Sequence, residues 1–502
     1  MKSLLEVSHI VTKKRVKKIE IFDENTLKSK TSKFNEFYES LMAGKYKNDR
    51  DAAQALYGCS PTDDKYRQLK SRFRKRLLNT LFFLDVNVPD TSNYDRAYFS
   101  CNKDWTLVKI LLANDAPFTA AILARQILTT ALKYKFADII VNCARILRQY
   151  SAENDEEKEF EEYDQHVKQY SNILDGEIRS EEFYQRVFMN YYKPPQQLQE
   201  LREKVDTYCD ALVSLSEIYD SPVVFYNMFL VWTYRYEMLN NFEEMNEICD
   251  RAEQYITQNP TYYQEDKLAT FYHKKMSAML HLRDFRRGKL SAEKSLKAFP
   301  EGSNTWFSFL EYYFLLSVHT ENYVNAMSVF TRASTMPRYK KLTLLERERW
   351  KVYEVYINYI CDVYVTEIPI LGQQKRSFKV TRFLTDPILY NKDMRIFTIM
   401  MLVAQVLFYL ERKNNHSAAE VIERLKTYAN RQLKKEENYR TIQFIRLLQQ
   451  IERAEFQADQ IAGHEKYLLR LEQTPFFYRG LINELEVVPY EQLWKIVVSR
   501  LK

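Results

Sequence analysis

One four-residue pattern occurs three times between Phe225 and Pro337, and it restricts what this chain can become more than any other feature. Phe242, Met245, Cys249 and Ala252 recur as Phe285, Gly288, Ala292 and Ser295, then as Tyr323, Ala326, Phe330 and Ala333. Steps of three, four and three residues place all four side chains on one face of a helix. Each face is closed by a proline, Pro260, Pro300 or Pro337, which cannot continue a helix. Small side chains recur where two helices must approach closely, and aromatics recur where a gap must be filled. The pattern predicts helix pairs repeated along an axis, an architecture that generates surface without building a reacting group.

Composition agrees. Only 8 glycines and 13 prolines occur in 502 residues, whereas sheets, phosphate-cradling loops and strained catalytic turns all consume glycine. The 37 tyrosines and 30 phenylalanines suit the layers between helices.

Around each copy the match widens. The first places Phe229, Trp232, Thr233 and Tyr236 in the helix before the turn. The second reads DFRRGKLSAEKSLKAFP, with Ser295 and Pro300 at the small and closing positions, and in the third Trp306 opens the preceding helix. These positions resemble the tetratricopeptide repeat, two antiparallel helices of ~34 residues with aromatic and small residues at fixed places and a closing proline. The copies here are longer, with aligned aromatics 43 and then 38 residues apart, and the family's first-helix glycine is absent from all three. The resemblance implies an all-α fold, a right-handed α-solenoid of antiparallel helical hairpins. It also implies a concave binding face built from first helices, on which Asn227, Tyr234 and Glu237 would stand with His273, Ser277 and His281.

Residues 1–90 form a separate, small basic helical module. They hold 19 Lys and Arg against 12 Asp and Glu, a surplus equal to the whole formal net charge of +7. KKRVKK at 13–18 is the densest run, read as a solvated arm or as a contact for an anionic partner. A short helix closed by Gly58 precedes a turn at Cys59, Ser60 and Pro61. A longer helix then runs to about Leu84 with Tyr66, Leu69, Phe73, Leu77 and Leu81 as its apolar stripe. Lys65, Arg67, Lys70, Arg74 and Lys75 lie largely off that stripe, and Gln68 is the amide on that face. The order is that of a helix-turn-helix, and equally that of a basic capping module at the end of a solenoid.

Residues 91–364 read as the solenoid, with a loop over 91–104, helices from Trp105, an acidic run from Ser151 and a break at Tyr191 to Pro195. Residues 365–395 are a long connection, basic through Lys375, Arg376, Lys379, Arg382, Lys392 and Arg395, with Phe378 and Phe383 interleaved. Such an insertion suits an acidic peptide or a nucleic-acid strand, or a loop folded back by its two phenylalanines. Residues 396–502 add further helices and a cap. The apolar run Ile396–Leu410 is 15 residues, short of the ~20 that span a bilayer, so it predicts a buried helix and no membrane.

No phosphate-binding, dinucleotide-binding, zinc-protease or serine-hydrolase motif occurs in the sequence. The six cysteines form no C-x-x-C pair, and the seven histidines are dispersed. No cofactor, metal or catalytic residue is therefore expected. The reading is a non-enzymatic, cytoplasmic scaffold that binds a protein or peptide partner. One alternative is a nucleic-acid-binding regulator using residues 1–90, similar in layout to bacterial regulators that join a helix-turn-helix to tetratricopeptide repeats. Another is a structural subunit of a larger assembly.

Overall fold

The structure, a computed structural model, describes residues 33–46, 48–82, 93–193, 199–263, 265–373, 378–386, 388, 390, 394–434 and 437–501. It is all-α, and no strand occurs among the described residues. The chain divides into two compact units, Met1–Ser171 and Asn172–Lys502.

The first unit contains α1 (Lys33–Met42), α2 (Asp49–Tyr57), α3 (Asp64–Phe82), α4 (Asn93–Leu112), α5 (Pro117–Tyr134), α6 (Ala137–Glu153) and the start of α7 (Glu157–Tyr191). Phe37, Ala53, Leu56, Tyr66, Leu69 and Phe73 form one small core between α1, α2 and α3. Val108, Ala121, Ile140, Cys143 and Tyr163 belong to a second core, shared by α4 to α7. Helix α4 begins at Asn93, where the sequence predicts a loop to residue 104. Tyr94 and Tyr98 meet Phe136 edge-on at 4.9 and 5.0 Å, so tertiary contact extends the helix beyond its own periodicity. The acidic run opens α7: Glu157 and Glu159 lie in its first turn, where the helix macrodipole favours them.

In the second unit follow α8 (Gln199–Ile218), α9 (Pro222–Met238), α10 (Phe242–Gln258), α11 (Glu265–Leu282), α12 (Phe285–Ser295), α13 (Asn304–His319), α14 (Tyr323–Thr335) and α15 (Leu344–Tyr364). The short α16 (Ile370–Gln373) and α17 (Val380–Thr385) lead to α18 (Arg395–Glu411), α19 (Asn415–Gln432), α20 (Tyr439–Arg453), α21 (Glu465–Glu472) and α22 (Tyr490–Leu501). Helices adjacent in sequence pack on one another, α9 on α10, α11 on α12, α13 on α14 and α18 on α19. The small positions of the repeated pattern are fully enclosed: Met245, Cys249, Ala252, Ala292, Ala326 and Ala333 have no exposed surface.

One turn recurs between the partners of each pair. Asn240, Arg283, Glu321 and Lys413 adopt φ of 55°, 53°, 60° and 54°, a left-handed conformation in which a side chain costs roughly 1 kcal/mol. The next residue, Asn241, Asp284, Asn322 or Asn414, sends its backbone N–H back to a carbonyl five residues earlier, at 2.9, 3.1, 2.8 and 2.9 Å. That bond closes the helix as a Schellman turn. In three of the four copies the same Asn or Asp then caps the following helix, Asn241 accepting from Glu244, Asp284 from Arg287 and Asn414 from Ser417. The same bond also closes α4, α5, α6 and α20, after Asp115, Lys135, Asp155 and Glu455, and after the fourth turn the steps of three, four and three recur in α19. Its pattern is Asn415, Ala418, Ile422 and Leu425, with an exposed asparagine where the other copies carry an aromatic.

Helix α18 is buried on nearly all sides, packed against α15, α19 and α22. No described helix is long and apolar enough to cross a membrane.

Candidate functional site

Five of the six residues expected on the binding face lie on α9 and α11 with their own partners nearby, and the chain's own C-terminal segment packs on one of them, His281. Glu237 on α9 is 2% exposed and accepts Lys274 Nζ of α11 at 2.7 Å. The same ammonium lies 4.0 Å from the centre of the Tyr234 ring. Burial pushes the Tyr234 phenol far above its ordinary range. Immediately before Lys274 on α11, His273 shares a hydrogen bond of 3.0 Å with Ser308 and meets Tyr312 edge-on. His281, two turns on, contacts the Ser277 carbonyl through Nδ1 at 2.7 Å and stacks on Phe242 at 4.0 Å. Asn227 stands apart, donating to Ser180 at 3.0 Å where α9 meets α7.

The covering segment runs from Thr474 to Val488 and is largely irregular. Helix side chains hold its main chain. The Tyr478 N–H donates to His281 Nε2 at 3.0 Å, Arg349 donates to the Gly480 carbonyl at 3.3 Å, Asn438 to the Asn483 carbonyl at 3.2 Å, and His319 to the Glu486 carbonyl at 2.7 Å. A chain without regular structure has no ladder for its own polar groups, so burial requires partners of this kind. Tyr478 is wholly buried, and its hydroxyl donates to Glu311, which also receives both Nη1 contacts of Arg349 at 2.8 and 2.9 Å. Arg440 binds Glu486 at 2.8 and 2.9 Å, Glu491 at 2.8 and 3.0 Å and the Leu471 carbonyl at 2.7 Å.

These contacts set the state of the histidines. A ring nitrogen that accepts from an amide cannot carry a proton, so His281 is neutral with its proton on Nδ1. His319 must carry its proton on Nε2 to reach a carbonyl. Burial lowers His273 and His281 to about 4 and His319 to about 3. Both nitrogens of His281 are committed to structure, and no group of three or more potential metal ligands occurs among the described residues.

The inserted connection borders an open cleft of about 600 Å³ on α15. Phe378, Phe383 and Phe408 pack together with ring centres 5.7 to 6.0 Å apart, so the two phenylalanines fold the connection back onto α18. Gln405 and Tyr409 of α18 donate to the carbonyls of Phe383 and Leu384, both at 3.4 Å. The floor is Val355, Phe378, Phe383, Met394 and Met401. Charges of both signs rim it: Glu348 accepts from the Tyr390 hydroxyl at 2.8 Å, and Arg382 pairs with Asp386 at 3.2 Å. Lys379 is exposed. Burial raises the Glu354 carboxyl above its ordinary range. Lys375, Arg376 and Lys392 lie outside the described residues.

On α3, Lys65, Arg67, Arg74 and Lys75 are exposed, whereas Lys70 is bound to Asp49 of α2 at 2.7 Å. The run at 13–18 lies outside the described residues.

Glu311, Arg349, Tyr478 and Glu354 escape the repeat-based reading. A signal for Glu311 exists: it is the lone charge in WFSFLEYYFLL, where an acid must be paired. Nothing local identifies its partners. Fold and site together define an all-α protein of packed helix pairs. No protein-family model, curated protein or solved structure matches this chain.

Proposed function

We propose that this chain is a non-enzymatic, tetratricopeptide-like α-solenoid that binds a protein or peptide partner, and that the partner docks in the cleft on α15. On the face expected to receive it, His281 is already engaged by the Tyr478 N–H, and displacing residues 474–488 would uncover part of the main core, where Tyr478 is at 0% exposure. The observation that carries the reading is the cleft itself, of about 600 Å³ with an apolar floor and a rim of mixed charge. That is the size and lining of a site for a few side chains of an extended peptide. Glu354, held partly out of water, favours a basic residue in the peptide beside an apolar anchor. A cytoplasmic setting goes with this proposal, because all six cysteines are free thiols and such thiols persist in reducing compartments.

Selection of peptides displayed at random against the full chain tests it. The enriched peptides should carry an apolar residue near a basic one, and Glu354→Lys should weaken them at least tenfold without altering the circular dichroism spectrum. Peptides that bind equally well to this variant would overturn the placement.

A further inference from the structure

We propose that residues 33–82 bind duplex DNA, with α3 lying in the major groove, an activity separate from peptide docking. These three helices enclose a core of their own, and α2 is capped at both of its ends. Asn48 caps α2 by accepting from Arg50 and Asp51 at 2.9 and 3.0 Å. Gly58 ends it at φ 63°, a left-handed conformation natural to glycine. Asp49 then ties the two helices, accepting from Tyr66 at 2.8 Å and Lys70 at 2.7 Å.

Helix α3 carries Lys65, Arg67, Lys70, Arg72, Arg74, Lys75 and Arg76 against one carboxylate, Asp64. Tyr66, Leu69 and Phe73 point into the core. At about 100° per residue, Gln68, Ser71 and Lys75 fall on the opposite side. Arg67 and Arg74 stand on one flank, Lys65 and Arg72 on the other, and all seven of these residues are exposed. Three cations have partners within the protein: Lys70 with Asp49, Arg67 with the exposed Asp64 at 3.5 Å, and Arg76 over the Phe34 ring at 4.5 Å.

A central row able to hydrogen-bond, with cations on both sides, fits a groove whose two walls are phosphates. The stretch from Lys65 to Arg76 is about 17 Å long at 1.5 Å per residue, enough to cross the groove. An anionic membrane would want an apolar row facing outward, and on α3 that row is buried as far as Phe73. The major groove of an RNA helix is too narrow for a helix, so the proposal is DNA. Gln68 is placed to read adenine, the base whose edge matches an amide.

Fluorescence anisotropy of the full chain with a labelled 30-base-pair duplex pool tests this. Binding should be present at 50 mM salt and fall with a logarithmic slope of about −3.5 to −4.5, for four or five neutralised phosphates. Joint replacement Lys65→Gln, Arg67→Gln, Arg72→Gln and Arg74→Gln should weaken it at least 30-fold, while neutralising residues 13–18 alone should leave most of it. Gln68→Ala should keep the overall affinity and erase the sequence preference found by selection. No binding at 50 mM salt, binding that survives the fourfold replacement, or equal affinity for duplex RNA would each overturn the proposal.

Discussion

His281 accepts the backbone N–H of Tyr478 at 3.0 Å from a residue 197 positions away in sequence. Its other nitrogen is thereby the donor to Ser277, at 2.7 Å. His319 has the opposite proton placement, since Nε2 faces the Glu486 carbonyl at 2.7 Å. Nitrogen-15 spectra of the histidine side chains should therefore show one Nδ1–H and one Nε2–H tautomer, both persisting to acidic pH. Two identical tautomers would disprove the arrangement.

The same rings predict acid sensitivity. His273 and His281 are held near 4 and His319 near 3 by burial, against ~6.5 for an unperturbed imidazole. Below pH 6.5 the unfolded chain takes up protons that the folded chain refuses. The stability these rings contribute is full above 6.5 and is lost as pH falls toward 4, at roughly 1 kcal/mol per pH unit for each ring. Urea midpoints between pH 7 and 4.5 should fall accordingly, and less steeply in His319→Gln.

Glu311 and Arg349 form a buried pair at 2.8 Å, with side chains 6% and 15% exposed. Removing one partner strands the other's charge, so Glu311→Ala should cost about 3–5 kcal/mol. The double change Glu311→Leu with Arg349→Met should recover most of that in chemical denaturation. A double variant as unstable as the single one would show that the loss comes from packing and not from charge.

Gly288 occupies the small position of the second copy. A Cβ placed there collides with Leu316 Cδ2 and comes within 3.2 Å of Met279 Cβ. Although alanine is the better helix former by ~1 kcal/mol, Gly288→Ala should destabilise the protein by about 1–3 kcal/mol through overpacking. A melting temperature equal to that of the parent would show that α12 shifts freely.

At the recurring turn the expected sign is reversed. Glu321 and Lys413 are exposed and adopt φ of 60° and 54°, so Glu321→Gly and Lys413→Gly should each raise stability by about 0.5–1 kcal/mol. Thermal unfolding of the two variants checks this.

The helices of the repeat are readable in sequence because each is announced by neighbours three and four residues away, and by an Asn or Asp at its start. Gly288, Ala292 and Ala326 mark helix contacts by size alone. The copy at α18 and α19 is harder to see because Asn415 replaces the opening aromatic, although Ala418, Ile422 and Leu425 keep the spacing. Residues 474–488 are opaque to such reasoning. Their positions are fixed by His281, Glu311, Arg349 and Arg440, each remote in sequence, and no periodicity in TPFFYRGLINELEVV announces those partners. The helices that carry the expected face residues were therefore legible, while the segment that packs on His281 was not.

Tyr478 reaches Glu311 across 167 residues. During synthesis, at ~5–20 residues per second, Glu311 would wait on the order of ten seconds or more before its cover emerges from the ribosome. Through that interval the nascent helices present charged and aromatic groups that have no final partner, and native assembly waits for a contact of very long range, the slowest kind to form. The early helices thus depend on the late ones for completion.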